Sequence, residues 1–537
     1  MTTETVDVLV VGSGASGVNV AAPLVEAGLR VRMLDFGNRD TEYESLIPAA
    51  SFSEIRRMDP DQHRYFLGER FEGVSFGEVE TGAQLTPPRR FVERDADALA
   101  PIESDSFHPL QSLAQGGLAA AWGAGCPPFL DRDMQGFPIS HSDLAPHYDA
   151  VAERIGVSGE QDDLAPFMGN LAALQPAVQN DTNAQKIIAL YRRRSRRLNS
   201  GGFYLGHPRL AMLSRPLRGR SATAYRDMDF WTDQERTVYR PRWTVEDLRS
   251  YPNFEYHDGL LAETFREIAP DEVEVAVRRH PGGERLSHRA RSVVLAAGAL
   301  GTARIVLRSL ERFDHRVPLV CNPHTYCPMI NLRMVGRPAA DRRHSLAQLC
   351  FVYAPEGDTG ATVGHVYSYR SLLGFKLVRE SPLPHRSSAR IIRDLLSSLT
   401  IALFQHADSP TADKHCSLRK RPDGDSLEIG YSLSGEEQKR IDHVERAILR
   451  NFRALRCLAI RRVRPGLAAS AHYAGCFPMS ASGGELTTDV SGRLRGTTNV
   501  YLADGSVFPR LPSKGLTFTM MANADRVGTG LARALAE

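Results

Sequence analysis

The residue with the clearest catalytic potential is His472, which stands near the C-terminus in the sequence His-Tyr-Ala-Gly. An imidazole titrates near neutral pH, so its uncharged form is able to accept the proton of an alcohol hydroxyl. The alternative is a histidine satisfied in the core, which is the usual fate of an isolated histidine. Oxidation of an alcohol needs such a base, an acceptor for the hydrogen on carbon, and a group that stabilises the charge which the acceptor gains.

Residues 8–17, at the other end of the chain, carry the pattern of a nucleotide-binding turn. Their sequence is an apolar run followed by Gly-x-Gly-x-x-Gly, which predicts a buried strand, a tight turn and a helix. Gly12 permits the turn, Gly14 lets the backbone approach a pyrophosphate, and Gly17 lets the helix pack closely on the strand. The amides at the helix start, beginning with Ala15, then face the phosphates.

An acidic residue follows at the distance expected for a nucleotide site. A second predicted strand, residues 30–34, ends at Asp35, about 20 residues beyond the glycines, where a carboxylate binds the adenosine ribose. A strand before the glycines, a helix after them and this acid together indicate dinucleotide binding. The alternative is a glycine-rich turn that binds no ligand.

Two stretches of small residues favour a flavin as the rest of the dinucleotide. Residues 111–125 carry no charge and are interrupted by Leu and Trp, so they fit a backbone lying against a flat ring better than a flexible linker. Residues 292–302 form another apolar strand with a glycine turn before a helix. The residues of these stretches that we expect to contact the cofactor are Gly116, Gly117, Trp122, Ala297 and Gly298.

In their order along the chain, these segments resemble the glucose–methanol–choline (GMC) oxidoreductases. Five blocks carry the resemblance: the N-terminal glycine turn, the Gly-Gly…Trp-Gly block, the Pro-Ile-Ser…Asp-Leu-Ala-Pro block at 138–146, the Ala-Ala-Gly-Ala-Leu-Gly strand and the C-terminal region. The resemblance implies an α/β fold. The implied fold comprises a Rossmann-like FAD-binding domain assembled from separated segments and an α+β substrate domain with an antiparallel sheet. It also implies that His472 is the base, because His472, Gly475 and Met479 match the family's His-x-x-Gly-x-x-x-Met motif.

The C-terminal region supplies two further elements toward the cofactor. Asp504 and Gly505 resemble the start of the family's Asp-x-Ser turn against the FAD pyrophosphate. Because a carboxylate repels a diphosphate, the backbone amides of Gly505 and Ser506 are the expected contacts. The last helix begins near Thr517, and its N-terminal dipole can stabilise charge at the flavin C2 carbonyl. A simple capping helix is the alternative, and both roles are compatible.

Two positions depart from the family's pattern. Gly515 stands where the family usually has an Asn or a His, so the second polar group that holds the substrate hydroxyl is missing. Ala121 stands where some sugar oxidases of the family attach FAD through a histidine, so noncovalent FAD is expected. The residues considered as replacements for the missing polar group are Lys514, Asn523, Asn322 and His324.

The predicted function is FAD-dependent oxidation of a primary or secondary alcohol to a carbonyl, by hydride transfer to flavin N5 with His472 as base. A looser resemblance over residues 231–248 and 251–256 to bacterial sugar-oxidising members implies a sugar, glycoside or aminoglycoside hydroxyl, with antibiotic biosynthesis as one setting. The electron acceptor is O2 or another carrier. Two alternatives stay open: a non-redox flavoprotein lyase of the same fold, and a flavin-binding protein without turnover, which Gly515 favours.

Length, charge and cysteine content limit which partners, metal sites and locations are expected for this chain. A chain of 537 residues usually forms more than one domain, and its net charge of +3 implies no nucleic-acid partner. The seven cysteines are scattered without a Cys-x-x-Cys pair, so we expect reduced thiols and no metal site. No uncharged apolar run reaches about 18 residues, so no membrane span is expected. The first strand begins almost at Met1, which predicts no secretory leader and a cytoplasmic location.

The domain organisation follows from the order of the blocks. An excursion near 45–100 is expected to cover the flavin. Alternating runs at 329–334, 345–353 and 365–369 predict strands of the antiparallel sheet. Amphipathic helices are predicted over 388–405 and from a cap at Ser434 to about Cys457. The predicted FAD-binding segments are 1–160, 250–312 and 465–537, and the predicted substrate-domain segments are 161–249 and 313–464.

Overall fold

The computed structural model describes residues 5–73, 85–337, 341, 343–356, 360–368, 382–422 and 424–537. Its α-helices are α1 (Ala15–Glu26), α2 (Phe52–Met58), α3 (His63–Phe66), α4 (Ala96–Leu99), α5 (His141–Ile155), α6 (Ala165–Met168), α7 (Thr182–Ser200), α8 (Pro241–Leu248), α9 (Ala299–Ser309), α10 (His385–Leu396), α11 (Gly435–Ala454) and α12 (Thr517–Ala536). Short 3₁₀ helices cover Pro87–Val92, Gly117–Ala120 and Gly505–Val507.

The strands belong to several sheets, of which two are large. They are β1 (Val6–Val11), β2 (Val31–Leu34), β3 (Ile102–Glu103), β4 (Val157–Gly159), β5 (Leu174–Pro176), β6 (Phe203–Gly206), β7 (Phe254–His257), β8 (Leu260–Ala269), β9 (Glu272–Arg279), β10 (Arg285–Leu295), β11 (Val317–Pro318), β12 (Val320–Cys321), β13 (His324–Asn331), β14 (Leu349–Tyr353), β15 (Thr362–Ser368), β16 (Leu399–Gln405), β17 (Lys414–Arg421), β18 (Gly424–Tyr431), β19 (Cys457–Ala459), β20 (Tyr473–Ala474) and β21 (Val500–Leu502).

The first large sheet has a parallel core in the order β7-β2-β1-β10-β21. Apart from Asp7, the strand β1 is apolar and buried, as expected for a strand covered on both sides. The N-terminal half of β10 pairs instead with β9, which continues antiparallel to β8. The carboxyl ends of β1, β2 and β10 therefore meet at one edge, where ligands of open α/β sheets bind.

The two helices that begin at this edge, α1 and α12, are locked against each other. A Cβ at Gly528 of α12 would lie 2.5 Å from the carbonyl oxygen of Val20, so only glycine permits so close a crossing. Arg154 of α5 donates to Asn19 at 2.7 Å and to Asp525 at 2.9 Å. This buried network joins α5, α1 and α12, and it holds α1 and α12 against α5.

The second large sheet is antiparallel, in the order β19-β13-β16-β15-β14-β6. One face packs its apolar side chains, such as Met329 and Phe404, on α7 and α11 through Tyr191 and Phe452. The opposite face lines a large cavity between the two sheets. The mixed α/β class predicted from the sequence is thus confirmed.

One element prediction was wrong. Residues 388–405 were expected to form a single amphipathic helix, but α10 ends at Leu396 and residues 399–405 form β16. Residues 399–405 form a strand because they pair with β13 on one side and with β15 on the other. Their run of β-branched and apolar residues suits a strand inside a sheet and lacks helical periodicity. The helix predicted from Ser434 is confirmed, with a capping box between Ser434 and Glu437.

The other sequence predictions about organisation fare as follows. The three predicted strands overlap β13, β14 and β15, although Tyr369 lies outside the described residues. The excursion near 45–100 contributes Phe52, Phe66 and Leu85 to the cavity wall, while its residues 74–84 lie outside the described part. All seven cysteines are buried and unpaired. Among the described helices, none combines the length and the apolarity needed to cross a membrane.

Candidate active site

A cavity of about 900 Å³ lies between the edge of the parallel sheet and the face of the antiparallel sheet. This is at the upper end of the range for ligand pockets, about 300–1,000 Å³. It brings together residues that are hundreds of positions apart in sequence. The predicted site residues that line it are Gly12, Gly14, Ala15, Asp35, Gly117, Trp122, Ala297, Gly298, His472, Asp504, Gly505 and Thr517.

The two predicted glycines that do not line the cavity shape the turn from behind. A Cβ at Gly17 would lie 1.8 Å from the carbonyl oxygen of Gly12, so Gly17 serves the packing of α1 on β1. Gly116 has a φ of +96°, and its amide donates to the Ser13 hydroxyl at 2.9 Å. Both glycines therefore hold the cavity wall in shape without facing its interior.

Gly14 differs from these glycines because the protein itself does not require it. Its φ of −64° is accessible to any residue, and a Cβ there would meet only the Gly116 carbonyl oxygen, at 3.9 Å. That Cβ would instead enter the cavity at the start of α1. Nearby, the hydroxyl of Ser16 is buried without a hydrogen-bond partner among the described residues. A helix start with open space and an unpaired donor fits a phosphate group.

Asp35 lines the same end of the cavity, with its carboxylate already hydrogen bonded. It accepts from the Ser13 hydroxyl and, at 2.8 Å, from the Tyr256 hydroxyl. Burial raises the pKa of Asp35 to about 6, against the lowering effect of these two donors. Tyr256, on β7, was not predicted as a site residue, although it ends the segment 251–256 that resembles sugar-oxidising members.

The turn at Asp504 is held by its own side chain. The Asp504 carboxylate accepts from the Ser506 amide at 2.9 Å and from the Thr302 hydroxyl at 2.6 Å. Of the two amides expected to face a pyrophosphate, that of Ser506 is therefore engaged, and Gly505 is the residue that lines the cavity. Burial raises the pKa of Asp504, against the lowering effect of the hydrogen bonds from Thr302 and Ser506.

His472 is positioned by a cross-strand pair. Strands β12 and β20 are antiparallel, with Cys321 opposite Tyr473, and the same register places Asn322 opposite His472. The Nδ1 atom of His472 lies 3.1 Å from Oδ1 of Asn322.

The amide of Asn322 determines which nitrogen of His472 carries the proton. Its Nδ2 donates to the carbonyl oxygens of His406 and Pro512, each at 2.8 Å, so its Oδ1 must accept. His472 therefore carries its proton on Nδ1. The Nε2 atom keeps its lone pair, and it has no hydrogen-bond partner in the described part of the chain. This tautomer is the one that a base facing the cavity requires.

The charge state of His472 also suits a base. Burial, and then the neighbouring His365, lower the pKa of His472 to about 4, so the imidazole is uncharged at neutral pH. A Cβ at Gly515 would lie 3.7 Å from Cε1 of His472. The side chain that Gly515 lacks would therefore stand directly beside the His472 ring.

Two of the residues considered as replacements for that side chain are engaged elsewhere. The Lys514 ammonium is buried and donates to Asp133 at 2.5 Å and to two carbonyl oxygens. The Oδ1 atom of Asn523 accepts from Arg526 at 2.8 Å, while its Nδ2 is buried without a partner among the described residues. Neither Lys514 nor Asn523 lines the cavity, so neither can reach a substrate there. Asn322 is occupied in orienting His472. The fourth candidate, His324, does line the cavity.

Outside the cavity, one group of side chains has metal-ligating types, which the search by cysteine spacing missed. Potential ligand atoms of Glu160, Asp162 and His207 lie within 4.8 Å of one another. His207 Nδ1 lies 2.7 Å from Glu160 and 3.4 Å from Asp162. Among the described residues this is the group whose potential ligand atoms lie close enough together to share a metal ion.

The chain is similar to several known proteins. Residues 435–524 match the family model described as GMC oxidoreductase. The chain is similar to 6'''-hydroxyparomomycin C oxidase of Streptomyces lividus, with 26% identity over 99% of this chain and 92% of that protein. It is similar to paromamine 6'-oxidase of Streptomyces fradiae, with 25% identity over 98% and 91%. It is also similar to C-glycoside 3-oxidase of Microbacterium trichothecenolyticum, with 22% identity over 97% and 95%.

The fold is similar to that of a solved structure, pyridoxine 4-oxidase from Mesorbium loti. The TM-score is 0.59 at 16% identity, and the alignment covers 98% of this chain and 99% of the other.

Proposed function

We propose that this chain is a GMC oxidoreductase, as the match of residues 435–524 and the similarity to the sugar-oxidising relatives indicate. We further propose that it binds FAD noncovalently and oxidises a hydroxyl of a sugar-like alcohol to a carbonyl. The observation that carries this proposal is the uncharged, correctly protonated His472 in the cavity that the nucleotide-binding turn also lines. A base and a dinucleotide cradle in one cavity are the two parts that alcohol oxidation by a flavin needs.

The residues around the cavity fit FAD. The start of α1, with Gly14 and the unpaired Ser16 hydroxyl, would hold the pyrophosphate, and Asp35 would face the ribose. The start of α12 at Thr517 would stabilise negative charge on the flavin. Ala121 also lines the cavity and offers no atom for a covalent link. When bound there, FAD would supply the acceptor for the hydride that leaves the alcohol carbon.

His472 has a defined task in this proposal. Its Nε2 lone pair accepts the hydroxyl proton, while its Nδ1 hydrogen remains bonded to Asn322. The amide oxygen of Asn322 stabilises the imidazolium that forms, because it is oriented toward Nδ1 before the proton arrives. Asn322 is therefore a positioning residue, and His472 is the catalytic base.

The substrate we propose is a sugar, glycoside or aminoglycoside hydroxyl. The curated relatives are named as oxidases of a hydroxyparomomycin, of paromamine and of C-glycosides. In this chain, the wall nearest His472 carries His324, His365 and Gln405, and the aromatic Tyr367 follows along β15. Side chains that donate and accept hydrogen bonds beside an aromatic surface suit a molecule with several hydroxyls on a ring.

The proposal is tested by anaerobic mixing of the purified protein with a panel of sugars, glycosides and aminoglycosides. The protein is expected to be yellow, to release its flavin on acid precipitation, and to bleach with at least one member of the panel. Flavin that stays in the acid pellet would contradict noncovalent binding. A yellow protein that no alcohol bleaches would contradict the oxidation and favour the lyase or the flavin-binding protein without turnover.

The pKa of His472 predicts the pH dependence of that bleaching. Only the uncharged imidazole accepts a proton, and its pKa is lowered to about 4. The rate per bound flavin should therefore be constant between about pH 6 and 8 and should fall about tenfold per unit below about pH 4. Stopped-flow pH jumps measure it, with His472→Ala as the control that lacks the acid limb. A rate that halves near the ordinary histidine pKa of about 6.5 would contradict this assignment.

A further inference from the structure

His324 stands out among the cavity residues because its ring is buried and unsatisfied. It begins β13 and is 7% exposed. Neither ring nitrogen has a hydrogen-bond partner among the described residues. The ring lies on the cavity wall, with its centroid 5.5 Å from that of His472 and its plane nearly perpendicular, at 85°.

We propose that His324 holds the reacting hydroxyl together with His472, and so replaces the side chain that Gly515 lacks. This inference rests on the proposed function and names a further residue that contacts the substrate. His324 reaches the site from the antiparallel sheet, whereas position 515 reaches it from the segment before α12. The second polar group has thus moved from one wall of the cavity to the opposite one.

The surroundings of His324 keep its ring uncharged. Burial, followed by the nearby His472, His406 and His365, lowers the pKa of His324 well below its usual value. A neutral imidazole has one N–H and one lone pair. Its N–H can donate to the oxygen of the substrate while the hydroxyl hydrogen points to Nε2 of His472.

The step then balances as follows. The O–H bond breaks, the proton moves to Nε2 of His472, and the bonding pair stays on oxygen. The C–H bond breaks, and its hydrogen leaves with both electrons as the hydride of the proposed function. The electron pair on oxygen then forms the second bond to carbon, which gives the carbonyl. His324 neither gains nor loses a proton, and its N–H stabilises the charge that develops on oxygen.

The neighbour of His324 on β16 extends the same polar patch. Gln405 lies directly opposite His324, and the adjacent bond from His406 N to Pro323 O makes this the closer, non-hydrogen-bonded type of pair. Gln405 is 5% exposed, and its Oε1 is unpaired among the described residues. The Oε1 atom of Gln405 can therefore accept a hydrogen bond from a second hydroxyl of the substrate, next to the reacting one.

A buried histidine without hydrogen-bond partners has either a structural role or a role in contacting the substrate. A second histidine of this kind, outside the cavity, helps to separate these two explanations. His288 on β10 is 4% exposed, and both of its nitrogens also lack partners among the described residues. It does not line the cavity, so a structural role is sufficient for it. His324 differs from His288 in facing the cavity and the base.

The test compares His324→Leu with His288→Leu by anaerobic single-turnover reduction, normalised to bound flavin. His324→Leu should keep its flavin and slow the limiting rate about 10²-fold, the usual loss for one such donor, while His288→Leu stays within about twofold. His324→Gln, which keeps an N–H donor, should recover about tenfold. A His324→Leu rate equal to that of the native protein would overturn the inference.

A second-site change makes the result specific to the reacting hydroxyl. Position 515 has no positive φ, and a Cβ there would be 3.7 Å from the His472 ring, so Gly515→Asn is sterically accessible. In the His324→Leu background, Gly515→Asn should restore about tenfold of the rate. A structural role for His324 predicts no recovery, and that outcome would contradict the inference.

Two outcomes separate this inference from the function on which it rests. If no alcohol bleaches the native protein, the proposed function fails. If the native protein bleaches and the His324 variants are equally fast, only the inference fails. Should His324→Leu not fold with flavin, His324→Ala is assayed with and without added imidazole: a saturable gain in rate supports the inference, and no gain overturns it.

Discussion

His472→Ala is expected to retain FAD and to be reduced by substrate about 10²–10⁴ times more slowly than the native protein, the usual worth of a positioned acid–base group. The physical reason is that, in the proposed mechanism, the Nε2 lone pair of His472 accepts the proton, and the contact of Nδ1 with Asn322 keeps that lone pair free. The measurement is anaerobic stopped-flow reduction at saturating substrate, expressed per bound flavin.

The control for this variant must separate chemistry from folding. Removing the ring leaves Oδ1 of Asn322 buried without its donor, which costs about 1–3 kcal/mol. His472→Gln, which keeps a polar side chain at this position, and His288→Ala, which removes a buried ring outside the cavity, bracket that cost. A His472→Ala rate equal to that of the native protein would rule out His472 as the base.

Gly14→Val is expected to give a folded protein without bound flavin. The native φ at Gly14 is accessible to valine, and no protein atom lies closer than 3.9 Å to the added Cβ. The side chain would instead fill the space at the start of α1 that a pyrophosphate needs. The ratio of flavin to protein absorbance should fall to near zero, and titration with FAD should show no saturable binding.

Gly530→Val is the matched control for this loss. Gly530 is a helical glycine with no atom within 4 Å of an added Cβ and no positive φ, and it lies near the end of α12, away from the cavity. This variant should bind flavin as the native protein does, with a circular dichroism spectrum equal to that of Gly14→Val. Normal flavin content in Gly14→Val would mean that this turn does not hold the phosphates.

Local sequence patterns determined the elements that are stabilised by interactions between residues close in sequence. The run Val6–Val11 and the glycines after it specify a strand, a turn and a helix, because the φ of Gly12 and the close packing at Gly17 admit no other residue. Ser434 and Glu437 form a cap within four residues. The mixed α/β class and the resemblance to the GMC oxidoreductases followed from several such segments in a fixed order.

Only the tertiary structure decided the protonation state and the surroundings of His472. Asn322 and His472 are 150 positions apart, and the pairing of β12 with β20 is what makes one orient the other. The tautomer of His472 depends further on two carbonyl oxygens from distant loops. No pattern within one segment carries that information, because a lone pair is directed by partners that are distant in sequence.

The same reason explains where the predictions were incomplete or wrong. Residues 399–405 form a strand because two neighbouring strands pair with them. This pairing with distant segments decides the conformation of the run more strongly than its local pattern does. Lys514 and His324 were equivalent candidates as residue types. Folding buried the Lys514 ammonium against Asp133, and it left the His324 ring unpaired beside the base. The sequence by itself thus determined which chemistry the chain contains, whereas long-range packing decided which polar groups were already satisfied and which were left to meet a substrate.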